Sequence, residues 1–177
     1  MPVPVSDVMK EINGHVFHNP GEAQGLKPLF DALLDHSRQQ LCCHDGRCPL
    51  ITVGALLVDE QARVLMLRNG AGWGFAEDPP QPEDDSLART ALRVLEEFAG
   101  IYDVWTVPGA EGPFVIDVSP AEDESRLRFG FRYLFRAHSG ALIPSMETAG
   151  RAQWRPLDQL DNFLLRERLL SHLVVSP

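Results

Sequence analysis

The chain has 177 residues, 44% hydrophobic and 23% charged, enough for one ordinary globular core and short for two, since domains run to about 100 to 150 residues. Sixteen basic against 25 acidic side chains give a formal net charge of −9, which repels phosphate backbones at long range and argues against nucleic acid as a partner. The apolar stretch Leu164 to Val175 is broken by Arg166, Glu167, Arg168 and His172, so no run approaches the roughly 18 residues of a membrane span and no membrane partner is expected.

The first 25 residues carry the turn signals Asn13-Gly14 and Asn19-Pro20-Gly21 and read as irregular structure or a docked arm. From Pro28, the residues Leu29, Phe30, Leu33, Leu34 and Leu41 recur at helical spacing and predict a helix from about Lys27 to Leu41. Cys42, Cys43, His44 and Cys48 follow in a turn. With His36 or His18 as a fourth ligand they could hold zinc, but the paired Cys-x-x-Cys knuckles are missing, and small thiols in a turn are the alternative. Three clustered cysteines do not make an extracellular disulfide framework, so a reducing cytoplasm is the expected setting.

Leu50 to Val58 and Arg63 to Arg68, joined by Asp59-Glu60-Gln61, read as a hairpin. A glycine-rich loop with Gly70, Gly72, Trp73 and Gly74 comes next, where backbone amides could approach a phosphate. Phe75 to Asp85 is acidic and holds Pro79, Pro80 and Pro82, which excludes helix and central strand and predicts an exposed loop. Asp84 or Asp85 then caps a helix whose broad apolar face is Leu87, Ala88, Ala91, Leu92, Leu95 and Phe98, ending at Gly100.

Pro113 to Val118 and Arg126 to Ala137 read as strands, the second setting Leu127, Phe129, Phe131, Tyr133 and Phe135 against Arg128, Gly130, Arg132, Leu134 and Arg136. Arg128, Arg132 and Arg136 on one face could neutralise an anionic ligand or form a solvated face. A short strand at Gln153 to Arg155 precedes a capped helix with Leu160, Phe163, Leu164, Leu165, Leu169 and Leu170. Helices do not alternate one for one with strands, which favours a mixed-sheet α/β sandwich over a doubly wound parallel fold.

The segment around Gly100 resembles the signature of the Nudix hydrolases: Gly, five residues, Glu, seven residues, then Arg-Glu-aliphatic-any-Glu-Glu-any-Gly-aliphatic. Arg93, Leu95, Glu97, Gly100 and Ile101 fall on family positions, Ala91 on the small residue before them and Asp85 on the earlier Glu. The opening Gly falls on Pro79 or Asp78, and Trp73 echoes the family's Trp ahead of the loop. Glu147 leading to Trp154-Arg155-Pro156-Leu157-Asp158-Gln159-Leu160 is similar to the closing pattern, so the likeness covers about Leu50 to Leu173. It implies a Nudix-type α/β/α sandwich over residues 49–177 behind a helical extension over 1–48, with homodimers common among relatives.

Two departures matter. The family's metal-binding carboxylates are replaced by Val94 and Phe98. Positions 94, 97 and 98 share one stripe of a helix, and magnesium demands oxygen ligands that valine and phenylalanine lack. Glu97 remains, while Glu96 sits about 100° away around the helix; Asp85, with Asp84, Glu77, Asp78 and Glu83 of the acidic loop, offers further oxygens.

The resemblance implies a pyrophosphohydrolase using Mg2+ or Mn2+ on a nucleoside diphosphate linked to another group, with turnover weakened by the degenerate box. Glu97 and Asp85, with Glu96, would hold metal, Arg93 would orient the carboxylates, and Glu147 would act on water. Arg128, Arg132 and Trp73 are the candidate contacts for a small phosphorylated ligand. The alternatives are a Nudix-fold module that binds without cleaving, or a repurposed non-hydrolytic enzyme.

Overall fold

The computed structural model describes residues 3–39, 50–70, 72–120 and 127–175. The fold is mixed α/β, with five α-helices and eight strands among the described residues. The strands are β1 (Leu50–Val58), β2 (Arg63–Asn69), β3 (Gly72–Gly74), β4 (Glu77–Asp78), β5 (Trp105–Thr106), β6 (Val115–Pro120), β7 (Leu127–Arg136) and β8 (Ala152–Pro156). They run in the order β3-β2-β1-β7-β5, with β4 also paired to β1, β6 to β7 and β8 to β2. The helices are α1 (Val5–His18), α2 (Ala23–Gln39), α3 (Leu87–Ala99), α4 (Pro144–Thr148) and α5 (Phe163–Val175). No described helix is long and apolar enough to cross a membrane.

The chain divides into two compact units. The first, Met1–Gly54 with Glu77–Ala91 and Gly112–Tyr133, contains α1 and α2 packed together. Val8, Ile12 and His15 are buried at helical spacing in α1, so the expectation of irregular structure before residue 25 is corrected. Apolar residues four apart gain enough from burial to outweigh the helix penalty of Gly14. A 3-10 turn, Pro20–Glu22, joins the two helices, and α2 starts at Ala23, leaving Pro28 inside it. The cysteine and His44 cluster lies outside the described residues; His18 is exposed and donates from Nδ1 to the Gly14 carbonyl at 2.9 Å.

Also in this unit, β4 pairs antiparallel with β1 through Val53↔Asp78 and Gly54↔Glu77, and β6 pairs with β7 from Val115↔Arg132 to Pro120↔Leu127. The expected exposed loop after Phe75 therefore contains a short strand, with Ala76 and Asp84 buried. Two residues are too few to show a strand's alternation. The cap of α3 is neither Asp84 nor Asp85: Ser86 Oγ accepts the Arg89 N–H at 3.2 Å, and Asp84 instead accepts the Gln81 N–H at 2.8 Å.

In the second unit, Ala55–Ala76 with Leu92–Glu111 and Leu134–Pro177, β2 pairs with β1, β3 and β8. The glycine-rich stretch is thus partly strand. Asp59 closes the β1–β2 turn: it is 1% exposed, accepts the Gln61 and Arg63 N–H groups at 2.9 and 2.8 Å, and holds the Arg63 guanidinium at 2.7 Å. Next to it, Glu60 accepts the Ser139 N–H at 2.8 Å and hydroxyl at 2.6 Å, while the Ser139 carbonyl accepts Trp154 Nε1 at 3.0 Å. Helix α3 ends as expected on Gly100, at φ +66, with Gly100 and Ile101 N–H groups returning to the Glu96 and Leu95 carbonyls. Four of the apolar residues expected on these helices are exposed rather than buried: Phe98 on α3 (45%), and Phe163, Leu164 and Leu170 on α5 (58, 79 and 39%).

Asp59→Ala removes three hydrogen bonds and an ion pair at a buried turn, and a urea melt should show a loss of about 2–4 kcal/mol. The Glu60 carboxyl is held down to about 2 from 4.5, first by the Ser139 hydroxyl and then by backbone N–H groups. Its stabilisation is therefore complete above pH 4.5 and fades as pH falls toward about 2. Melting temperature against pH should lose part of that acid limb in Glu60→Gln.

Candidate ligand site and the metal-motif helix

On α3 the family stripe presents a different surface from the one the resemblance implies. Val94 is 0% exposed, so its position faces the interior. Glu97 is half exposed and its carboxylate accepts a 2.8 Å hydrogen bond from Arg93. Glu96 is half-buried and Phe98 is exposed. Magnesium or manganese needs several oxygens in a near-octahedral shell. This stripe supplies one carboxylate, and that one is already ion-paired. Among the described residues no group of three or more His, Cys, Asp or Glu stands together to hold a metal ion. The described residues do not fit the metal site that the resemblance implies.

The other expected site residues lie as follows. Asp85 is exposed and accepts the Ser86 hydroxyl at 3.1 Å. Glu147 is exposed on α4 rather than on a loop. Trp73 lies in β3 with the Arg155 guanidinium 4.7 Å from its ring centroid, a cation–π contact that covers one ring face. Arg136 is half-buried in the second unit.

Arg128 and Arg132 are brought together in the first unit, because β7 places alternate residues on one face. Between them stands Gly130, paired with Asp117 of β6. The Glu77 carboxylate bridges the two arginines, one oxygen on Arg128 and the other 3.6 Å from Arg132. Arg132 Nε also reaches Asp117 at 3.1 Å, and Arg128 Nε donates to Ser119 Oγ at 3.2 Å. A Cβ on Gly130 would touch Thr52 Oγ1 at 3.5 Å and Glu77 Oε2 at 3.8 Å, and the buried Thr52 hydroxyl has no hydrogen-bond partner.

The result is a polar patch within a largely buried sheet, with two fixed guanidiniums whose planar forks suit carboxylate or phosphate oxygens. Sequence reasoning found the arginines, named Glu77 only as an oxygen for metal, and missed Asp117 and Thr52. The alternation of Val115, Asp117 and Ser119 in β6 was a signal for Asp117; nothing local marked Glu77.

Solved structures of the same architecture carry the comparison. The Shewanella oneidensis NrtR bound to a 27mer DNA matches with TM-score 0.54 at 20% identity, over 70% of this chain and 61% of that one. The NUDIX domain of the same protein, solved with ADP ribose, matches with TM-score 0.53 at 17% identity, over 79% and 97%. A Caenorhabditis elegans Ap4A hydrolase matches with TM-score 0.51 at 14% identity, over 71% and 96%. The chain has a Nudix fold.

At these identities the likeness shows architecture alone. No protein-family model matches the chain, and no curated protein matches it in sequence. The chain spans about 61% of the length of the DNA-bound NrtR. That structure nonetheless corrects one expectation. Net charge was read as excluding nucleic acid, whereas a protein of this architecture is solved in complex with a 27mer DNA. Net charge sums the whole chain, while contact is decided by charges within a Debye length of about 8 Å, so −9 carries no such exclusion.

Restoring the family carboxylate tests the reading of α3. Val94→Glu places a charge at a fully buried position and should cost about 3 kcal/mol or more in a urea melt. A stability unchanged within about 0.5 kcal/mol, inside ordinary surface scatter, would mean that position 94 opens to water.

Proposed function

We propose that this Nudix-fold chain binds a small phosphorylated, nucleotide-like ligand without hydrolysing it by metal chemistry. The observation that supports this is the α3 stripe: a buried Val94, an exposed Phe98, and Glu97 engaged by Arg93. Metal-assisted attack on phosphorus needs an ion held by several oxygens, and the stripe offers one carboxylate. In this reading the Arg93–Glu97 pair is a helix-surface contact worth a few tenths of a kcal/mol, and Glu147 is a solvated side chain.

Arg128 and Arg132 are the proposed anchors for the ligand's phosphates. Their side chains are already ordered by Glu77, Asp117 and Ser119, which lowers the entropy lost when an anion is bound. The Nudix-fold neighbours solved with ADP ribose or described as hydrolysing Ap4A support a nucleotide-like ligand class.

Titration calorimetry with ADP ribose and a dinucleoside polyphosphate, with and without magnesium or manganese, should show saturable binding and no released product. Arg132→Gln should weaken that binding by on the order of tenfold, about the value of one charge-assisted hydrogen bond, with the fold retained by circular dichroism. Metal-dependent cleavage that disappears in Glu97→Gln would overturn the reading in favour of a hydrolase.

A further inference from the structure

The Glu77 carboxylate meets both arginines of the polar patch in the way a ligand's anion would. One oxygen engages Nη1 of Arg128, and the other stands 3.6 Å from Nη2 of Arg132. A guanidinium offers carboxylate or phosphate oxygens a two-pronged end, Nη1 beside Nη2. Glu77 takes one nitrogen of that end on each arginine, so a side chain of the protein itself occupies both forks.

Its hold is uneven. The Arg132 contact, at 3.6 Å, is an ion pair too long for a hydrogen bond, and Glu77 Oε2 is buried with no hydrogen-bond partner. A second unmet group stands beside it. Thr52 is 7% exposed, and its hydroxyl has no partner. Glu77 pairs with Gly54 across β4 and β1; Thr52 lies on the same face of β1 as Gly54, which makes it a diagonal neighbour of Glu77. A glycine leaves the gap they share, since a Cβ on Gly130 would stand 3.5 Å from Thr52 Oγ1 and 3.8 Å from Glu77 Oε2. A buried donor and a buried acceptor thus border one gap, each carrying the penalty of a missing hydrogen bond. The strand that carries Glu77 has 2 residues and runs into Pro79-Pro80, which bring no N–H to extend the ladder.

We propose that Glu77 is a displaceable internal counter-ion: a phosphate group of the ligand takes its place on Arg128 and Arg132, and the released carboxylate turns to the Thr52 hydroxyl. This rests on the reading of those arginines as phosphate anchors. The guanidiniums stay aimed during the exchange, because Ser119 Oγ holds Arg128 Nε at 3.2 Å and Asp117 holds Arg132 Nε at 3.1 Å. A tethered carboxylate competes at high effective concentration. Free monocarboxylates therefore lose to Glu77, and a more highly charged group with several oxygens, such as a diphosphate, displaces it.

The test is titration calorimetry of the full chain with ADP ribose and with inorganic pyrophosphate, each variant checked for fold by circular dichroism. Glu77→Gln should tighten binding of both by about threefold to tenfold, somewhat above the value of a fully exposed ion pair. Glu77→Asp keeps the charge but is one methylene too short to bridge both arginines, and it should also tighten binding; a field effect of the charge alone would leave it at the wild-type value. Thr52→Val should leave the ligand-free protein at least as stable in a urea melt, because it removes an unmet hydroxyl. It should weaken pyrophosphate binding by about threefold when Glu77 is present and not at all in Glu77→Ala, the coupling expected of two groups that meet in the bound state. Binding that Arg132→Gln weakens but neither Glu77→Gln nor Glu77→Asp tightens overturns the proposal and leaves the ligand site standing. Binding indifferent to Arg132→Gln, or absent in every variant, overturns both.

Discussion

In α3, Leu87, Ala91, Val94 and Leu95 follow the i, i+4, i+7, i+8 spacing of one helical stripe, and all four are buried. That burial holds the helix, and it decides what the neighbouring positions can do. A carboxylate at 94 would have to leave water with no cation waiting for it, a loss of several kcal/mol. Valine there contributes instead roughly 1.5–3 kcal/mol of apolar burial. The frame of the family motif survives in Arg93, Glu97 and Gly100, because helix geometry and the positive-φ cap at Gly100 require only those spacings. The chemistry that the frame carries elsewhere depends on the positions that have gone to the interior or to phenylalanine.

Polar character concentrates instead on β7 and its partners. Arg128 and Arg132 flank a glycine, and the two acidic side chains that hold them come from β4 and β6, strands separated in sequence by more than thirty residues. Such an arrangement fixes long side chains that would otherwise lose about 2 kcal/mol of rotamer freedom on meeting a ligand. It also keeps the patch near neutrality. An incoming anion gains less from charge than from the direction of the guanidinium forks, so the site selects by geometry.

How much of this was legible in the sequence follows from how local each feature is. The β1–β2 hairpin, the span of α3 and the arginine face of β7 were legible because each is a repeating pattern inside one element. The metal motif's loss at Val94 and Phe98 was legible by position, though that Val94 would be buried and Phe98 half exposed was not. Helix α1 was missed because Asn13-Gly14 and Asn19-Pro20 are strong local breakers, overruled by burial of Val8 and Ile12 that only the folded chain supplies. β4 was missed because Pro79 and Pro80 dominate the segment, yet two residues before them suffice to reach β1. Glu77 gave no sign of its role, since its partners at Arg128 and Arg132 are fifty residues away and no local period links them.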